Sequence, residues 1–321
     1  TMSILECILI DATKGQITLT ANDMELGIET VIEGEIIEKG IIALDAKIFQ
    51  EMVRKLPDND VTIETDASYK TIITCEKATF NIIGKSGEDF SYLPQIERSD
   101  SILISQFTLK EEINGNVLKV VSSDGLRISL RKIELKNSYS DKKVIVPGKT
   151  LNEISKILSG DADKDVNIFF TDKHILFEFD NTTVVSRLIE GEYLKIDNIL
   201  SADYETKVRV NKREFLSCID RSTLLVKEGD KKPIILDIQD DIMELKMNSI
   251  VGSLDEEIDI AKNGKDLMIG FDPKFLIDAL KVIDDEEIEI KLLNPKAPCF
   301  IKDEQESYIY LILPVTFSTV A

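Results

Sequence analysis

Tryptophan is absent from the 321 residues, histidine occurs once, and the four cysteines stand far apart at Cys7, Cys75, Cys218 and Cys299. A single histidine, His174, with no Cys or second His at ligand spacing, argues against a zinc site and against a His-based triad. Scattered cysteines with no Cys-x-x-Cys pair argue against a disulfide framework and fit a reducing cytosol. No run of eighteen apolar residues occurs, so no membrane-spanning helix is expected. The stretch Thr1–Glu6 lacks the charged-then-apolar layout of a secretion signal. Positive charge is scarce too: 39 Lys and Arg stand against 59 Asp and Glu, a net charge of −20. So acidic a chain does not bind nucleic acid with its whole surface. Any such role needs basic residues gathered on particular faces.

Short motifs that imitate catalytic or ligand sites fail on inspection. Gly84-Lys85-Ser86 has the ending of a phosphate-binding loop, but Thr79 stands where the first glycine is required, so a plain loop is expected. Asp161, Asp163 and Asp165 imitate the start of a calcium loop, yet Val166 replaces its glycine and Asp172 its closing glutamate. A solvated turn is the better reading. Acidic pairs such as Asp284-Asp285 are too common here to mark acid–base chemistry. No catalytic constellation is legible, and no cofactor or metal is called for.

What the chain does contain is one unit written three times. A helical stripe followed by strand runs occurs over Leu44–Leu56 with Val61–Glu64, Thr71–Cys75 and Ala78–Ile83. It returns over Val146–Leu158 with Val166–Phe170, Ile175–Phe179 and Thr183–Leu188. The third copy is Asp272–Ile283 with Glu287–Leu292, Cys299–Ile301 and Ser307–Leu313. Leu151, Ile154, Ile157 and Leu158 make an apolar helical stripe, and Pro147 suits a helix start. Alternation such as Val61-Thr62-Ile63-Glu64 predicts half-buried antiparallel strands. Upstream of each copy lies a strand, a polar turn and a second strand, beginning at Gln16, Val117 and Ile242. A further helix is predicted over Asn211–Leu225. The fold class is α+β, in three similar domains spanning 1–100, 101–203 and 204–321.

The repeated helices carry basic pairs seven residues apart, two turns along one face: Lys47 and Arg54, Lys149 and Lys156, Lys274 and Lys281. Arg213 and Arg221 lie on the fourth predicted helix. Sparse cations on equivalent helices can touch phosphates without reading bases, which is sequence-independent and salt-sensitive binding. The competing reading is an ordinary solvated face. Glu51, Glu153, Glu214 and Asp278 stand close by and would weaken any pull on phosphate.

Particular segments resemble the bacterial DNA polymerase III beta-subunit (sliding clamp) family. Gly15–Glu25 resembles its G-x-L-x-L-x-x-T-D-L-E run, and Ser122-Ser123-Asp124-Gly125-Leu126-Arg127-Ile128 its A-T-D-G-H-R-L run. Val144–Pro147 and Tyr310–Val315 match two further segments. The resemblance covers nearly the whole chain. It implies three DNA-clamp domains, helices lining the inside and antiparallel sheets outside, in a head-to-tail homodimeric ring. That ring would encircle duplex DNA and hold the replicative polymerase, clamp loader and other partners, without catalysis. Two departures stand out. The family has a helix and strand before the position of Ile4 and another such stretch between the positions of Glu111 and Asn114. Neither is present here, which reduces six inner helices to four.

Carried over by the resemblance, a peptide-binding pocket comprises Ser123, Gly125, Leu126, Arg127, Ile128, Leu194, Asn198, Ile199, Asp272, Phe275, Lys296, Pro298, Leu311, Leu313, Pro314 and Val315. Leu126 stands where His is common, Leu194 where Pro is common, and Phe275 where Tyr can occur. The dimer contact would set Phe80 and Ile82 of one subunit against Leu224 and Leu225 of the other. From sequence alone, Ile128, Leu311 and Leu313 read first as core strand residues, and the dimer-contact residues read first as intradomain packing. The alternatives are an acidic three-repeat scaffold that binds peptides without DNA, and a hydrolase built on carboxylate pairs.

Overall fold

Alternating apolar positions and well-capped short helices build this chain, with strands far outnumbering helices. The computed structural model describes residues 4–98, 101–105, 117–135, 137, 139, 142–161, 163–192, 203–226 and 232–317. These divide between two compact units, Thr1–Ile113 with Ser138–Tyr193, and Asn114–Asn137 with Leu194–Ala321.

In the first unit a nine-stranded sheet runs in the order Lys85–Ser86, Ile41–Asp45, Cys7–Asp11, Ile17–Asn22, Leu26–Ile32, Thr182–Arg187, His174–Phe179, Asp165–Phe170 and Ser101–Ser105. A separate three-stranded sheet is made of Thr62–Thr65, Lys70–Cys75 and Ala78–Ile83. The second unit holds a ten-stranded sheet in the order Val117–Ser123, Arg127–Glu134, Tyr308–Ile312, Cys299–Lys302, Glu287–Leu292, Thr206–Asn211, Ser253–Gly264, Ile242–Asn248, Ile234–Gln239 and Leu267–Phe271. Every pairing recorded between these strands is antiparallel, as the alternation predicts. The twelve-residue strand Ser253–Gly264 changes partner along its length. Its first part pairs with Ile242–Asn248, and from Ile260 onward it pairs with Thr206–Val210.

In each unit a strand of one repeat pairs with a strand of the next. Leu26–Thr30 pairs with Thr182–Ser186, and Arg127–Arg131 pairs with Tyr308–Ile312. The same extra hydrogen bond extends both joins: Arg187 N to Glu25 O at 2.9 Å, and Leu313 N to Leu126 O at 3.0 Å.

The described residues contain four α-helices: α1 Ala46–Val53, α2 Gly148–Ile157, α3 Lys212–Thr223 and α4 Pro273–Leu280. Three start on side-chain caps. Asp45, Asn211 and Asp272 accept from the backbone N–H of Ile48, Glu214 and Lys274 at 2.9, 3.1 and 2.9 Å. Pro273 opens α4, where its missing N–H costs nothing. Pro147 stands one place earlier than that, at the N-cap of α2, and gives no side-chain cap. Each helix buries an apolar stripe: Phe49 on α1, Ile154 on α2, Phe215, Cys218 and Ile219 on α3, Leu276, Ile277 and Leu280 on α4. The stretch Glu111–Asn114, where the family pattern has an extra helix and strand, lies outside the described residues.

The expected loop at Lys85–Ser86 is instead a two-residue strand beside Ile42 and Ala43. Gly84 before it is buried, and a Cβ there would meet the Ile42 side chain at 2.6 Å. Close packing, not phosphate binding, accounts for that glycine. All four cysteines are buried and none is in a disulfide. Burial pushes the Cys299 thiol up to about 12, and burial with the neighbouring Glu256 carboxylate pushes Cys218 up to about 11, so both stay protonated.

Phe215 is fully buried in the largest apolar cluster, among Val208, Ile219, Leu245 and Leu280. Phe215→Ala should therefore destabilise the second unit by about 3–5 kcal/mol. The check is a lowered urea midpoint with an unchanged slope.

Candidate functional site

The pocket residues that fall among the described residues all belong to the second unit. They are brought together by the pairing of Arg127–Arg131 with Tyr308–Ile312. The turn before Arg127 is built by Asp124, whose Oδ1 accepts from the N–H of Leu126 at 3.0 Å and of Arg127 at 3.1 Å. Such an Asx turn needs a left-handed residue in its middle, and Gly125 supplies it at φ +86°. The first repeat makes the same turn with Asp23, but places Met24 at φ +75°, a conformation unfavourable for a side chain.

From that turn the Arg127 side chain crosses to α4. Its Nε donates to Asp124 Oδ2 at 2.8 Å and its Nη1 to Asp278 Oδ2 at 2.7 Å. The guanidinium lies over the Phe275 ring, 4.4 Å from the centroid. Partial burial opposes its charge, but the hydrogen bonds to Asp278 and Asp124 outweigh that and hold its pKa above the ordinary value. For Asp124 the burial likewise opposes charge, and the bonds from Arg127 win and lower its carboxyl.

Beside this network Leu126 is 52% exposed. Leu313 and Pro314 are half-buried, and Val315 is fixed by its N–H to Gly270 O at 2.9 Å. Pro298 is half-buried and Lys296 exposed, on a turn where Asn294 Oδ1 accepts from the N–H of Lys296 and Ala297. Ser123 is exposed, and Asp272 is tied up in capping α4. Ile128 and Leu311 are core residues, packed with Leu130, Phe300 and Ile309 and nearly without exposed surface. Leu194, Asn198 and Ile199 lie outside the described residues.

Three family models account for most of the chain, described as the N-terminal, central and C-terminal domains of the DNA polymerase III beta subunit, at residues 1–94, 106–195 and 197–316. The chain belongs to the DNA polymerase III beta-subunit family. A beta sliding clamp of Staphylococcus aureus is 34% identical over 349 aligned positions, covering 98% of this chain and 92% of the relative. A solved sliding clamp of Bacillus subtilis is 33% identical with a TM-score of 0.90, covering 99% of this chain and 93% of that one. A solved structure from Eubacterium rectale, described as a candidate DNA polymerase III beta subunit, is 66% identical with a TM-score of 0.93 over the same shares. These likenesses favour a clamp over an acidic scaffold. They also favour a non-catalytic processivity factor over a hydrolase. The described residues hold no cluster suited to a metal and no helix long and apolar enough to cross a membrane.

All eight basic residues assigned to the clamp's DNA side are exposed, but they fall into two groups. Lys47, Arg213, Lys274 and Lys281 have no ion pair with any described residue. The other four each have a carboxylate within ion-pair reach. Arg54 faces Glu51 at 3.8 Å and Lys156 pairs with Glu153 at 2.8 Å, as the proximity of those acids in sequence suggests. Arg221 pairs with Glu256, and Lys149 with Asp23. Sequence reasoning missed these last two, because each acid comes from a remote strand or turn.

The two apolar surfaces assigned to ring closure differ in exposure. Phe80 and Ile82 are half-buried against their own core of Ile42, Leu44, Phe49 and Ile73, as intradomain packing would have it. Their neighbour Ile83 is 82% exposed, and the strand Ala78–Ile83 lies at the edge of its sheet. Beside it an open groove of about 380 Å³ is lined by Lys47, Ile48, Glu51, Met52, Lys55 and Phe80. In the second unit Leu224 is 81% exposed and Leu225 half-buried next to Gly252. The tight turn there, closed by Ser249 N to Gly252 O at 2.9 Å, also exposes Ile250 (80%) and Val251. Two β-branched apolar residues in a turn that would ordinarily be polar were the overlooked signal.

Burial alone would raise the Asp23 carboxyl, but hydrogen bonds from Lys149 and from the backbone of Leu26 and Glu25 hold it below the usual carboxylate range. A depressed carboxylate stabilises the fold above its unfolded pKa, and the effect is lost as pH falls through the folded value. Lys149→Met should raise the Asp23 carboxyl back toward the ordinary carboxylate range. Side-chain NMR titration reads this directly, and an unmoved Asp23 would contradict the pairing.

Proposed function

We infer that two copies of this chain join head to tail into a ring around duplex DNA. The ring tethers the replicative polymerase, the clamp loader and other partners through the groove at Leu126, Arg127 and Leu313–Val315. The observation that carries this reading is that every described α-helix turns at least one basic side chain to solvent in a chain of net charge −20. Cations on helix faces meet phosphates wherever the duplex presents them, and nothing in their arrangement reads base edges. Carboxylates beside Arg54, Lys149, Lys156 and Arg221 offset part of their charge and keep the attraction weak. A weak, sequence-independent field allows movement along DNA. Retention then comes from topology. The chain itself makes and breaks no covalent bond, and four cysteines without disulfides suit a reducing cytoplasm.

Ring closure is assigned to the edge strand Ala78–Ile83 of one copy and the patch of Leu224, Leu225, Ile250 and Val251 of the other. An open strand edge and an exposed apolar patch are both costly to leave in water, and joining them removes both costs.

Loaded onto nicked circular DNA, the protein should stay bound through gel filtration and be released when the circle is cut. Retention on the linear product would sink the threading mechanism. Leu224→Glu combined with Leu225→Glu should give monomers by light scattering with the native circular dichroism spectrum. A dimer mass in that variant would count against the assigned closure.

A further inference from the structure

We propose that Asp278 is the positioning residue of the partner groove: it holds the Arg127 guanidinium flat on Phe275, so that its remaining N–H groups face the bound segment. This rests on the groove proposed above.

The geometry fixes Arg127 from three directions. Asp124, within its own turn, holds Nε at 2.8 Å. The Phe275 ring supports the face at 4.4 Å. Only Asp278, 151 residues away in sequence, holds the far nitrogen Nη1, at 2.7 Å. Phe275 and Asp278 stand three residues apart on α4 and so lie on one helix face. Without Asp278 the guanidinium would remain tethered at Nε but could swing about that end, away from the ring.

A guanidinium carries five N–H donors in a rigid plane. The bonds to Asp124 and Asp278 use two of them, and the Tyr310 hydroxyl stands close enough to engage another. The Arg127 side chain keeps 22% of its surface exposed, so the rest can reach a ligand at the groove edge. Peptide grooves use apolar anchors for affinity and a few fixed polar groups for orientation. Leu126, Leu313 and Val315 supply apolar surface here, and Arg127 is the fixed donor facing the main-chain carbonyls of a bound segment. The two carboxylates more than offset its charge, so the donor acts through direction and not through long-range attraction.

The experiment measures binding of the replicative polymerase catalytic subunit from the same bacterium, by calorimetry, to the full chain and its variants. Asp278→Ala should weaken binding about tenfold, with the melting temperature and dimer mass little changed. Asp278→Glu should recover part of the loss. Arg127→Ala should weaken binding at least as much, and adding Asp278→Ala to it should cost nothing more, because both act through one guanidinium. If Asp278→Ala fails to fold, Asp278→Asn, which keeps the shape, carries the same comparison. Unchanged binding in the Asp278 variants, or losses that multiply in the double variant, would overturn the proposal. Leu126→Asp separates the two ideas. If it abolishes binding while Asp278→Ala does not, the groove stands and the role of Asp278 falls. If Leu126→Asp also binds normally, the groove falls and takes this role with it.

Discussion

Strand exchange between consecutive repeats is the constraint on which this molecule depends. Leu26–Thr30 pairs with Thr182–Ser186, and Arg127–Arg131 pairs with Tyr308–Ile312. Each join is sealed by side chains from both repeats. Ile128 and Leu130 pack with Phe300, Ile309 and Leu311 in one. In the other, Val185 packs with Phe169, Leu176 and Ile96. Burying an aliphatic side chain of this size contributes about 1.5–3 kcal/mol, so a few such contacts outweigh much of the cost of ordering the hairpins. The joins also remove open strand edges that separate repeats would expose.

The Arg127 network is a consequence of the second join. Because Arg127 begins the strand that crosses into the next repeat, its side chain leaves the sheet toward α4, a helix of that repeat. The turn that aims it is made by Asp124 and Gly125, while the surface that receives it is made by Phe275 and Asp278. At the first join the same turn leads to Leu26 in place of arginine, and Gly27 lies under Leu93, whose side chain a Cβ would meet. Equivalent backbone therefore carries a fixed guanidinium once and packed apolar surface once.

Charge is distributed with similar economy. An excess of acid keeps the chain soluble and repels nucleic acid from most of its surface. Of the eight basic residues assigned to the helix faces, four stand beside carboxylates from near or remote elements, and Lys47, Arg213, Lys274 and Lys281 have no ion pair with a described residue. A uniformly basic helix face would hold phosphate more tightly and hinder movement along it.

Much of the architecture was legible from residue order. Strand alternation and helical stripes are local properties, so Ala78–Ile83 and Glu287–Leu292 are found with the predicted bounds, and most other elements within a residue or two. Side-chain caps at Asp45, Asn211 and Asp272 act within one turn and set the starts of their helices, a local signal that the stripe reading did not use. Nearby pairs such as Glu153 with Lys156 were visible for the same reason. Tertiary structure decided what depends on remote partners: Asp23 on Lys149 across 126 residues, Asp278 on Arg127 across 151, and Ile128 and Leu311 sinking into the core. Periodicity states which face a side chain takes on its own element. It is silent on which other element arrives there, because that follows from how the sheets pair.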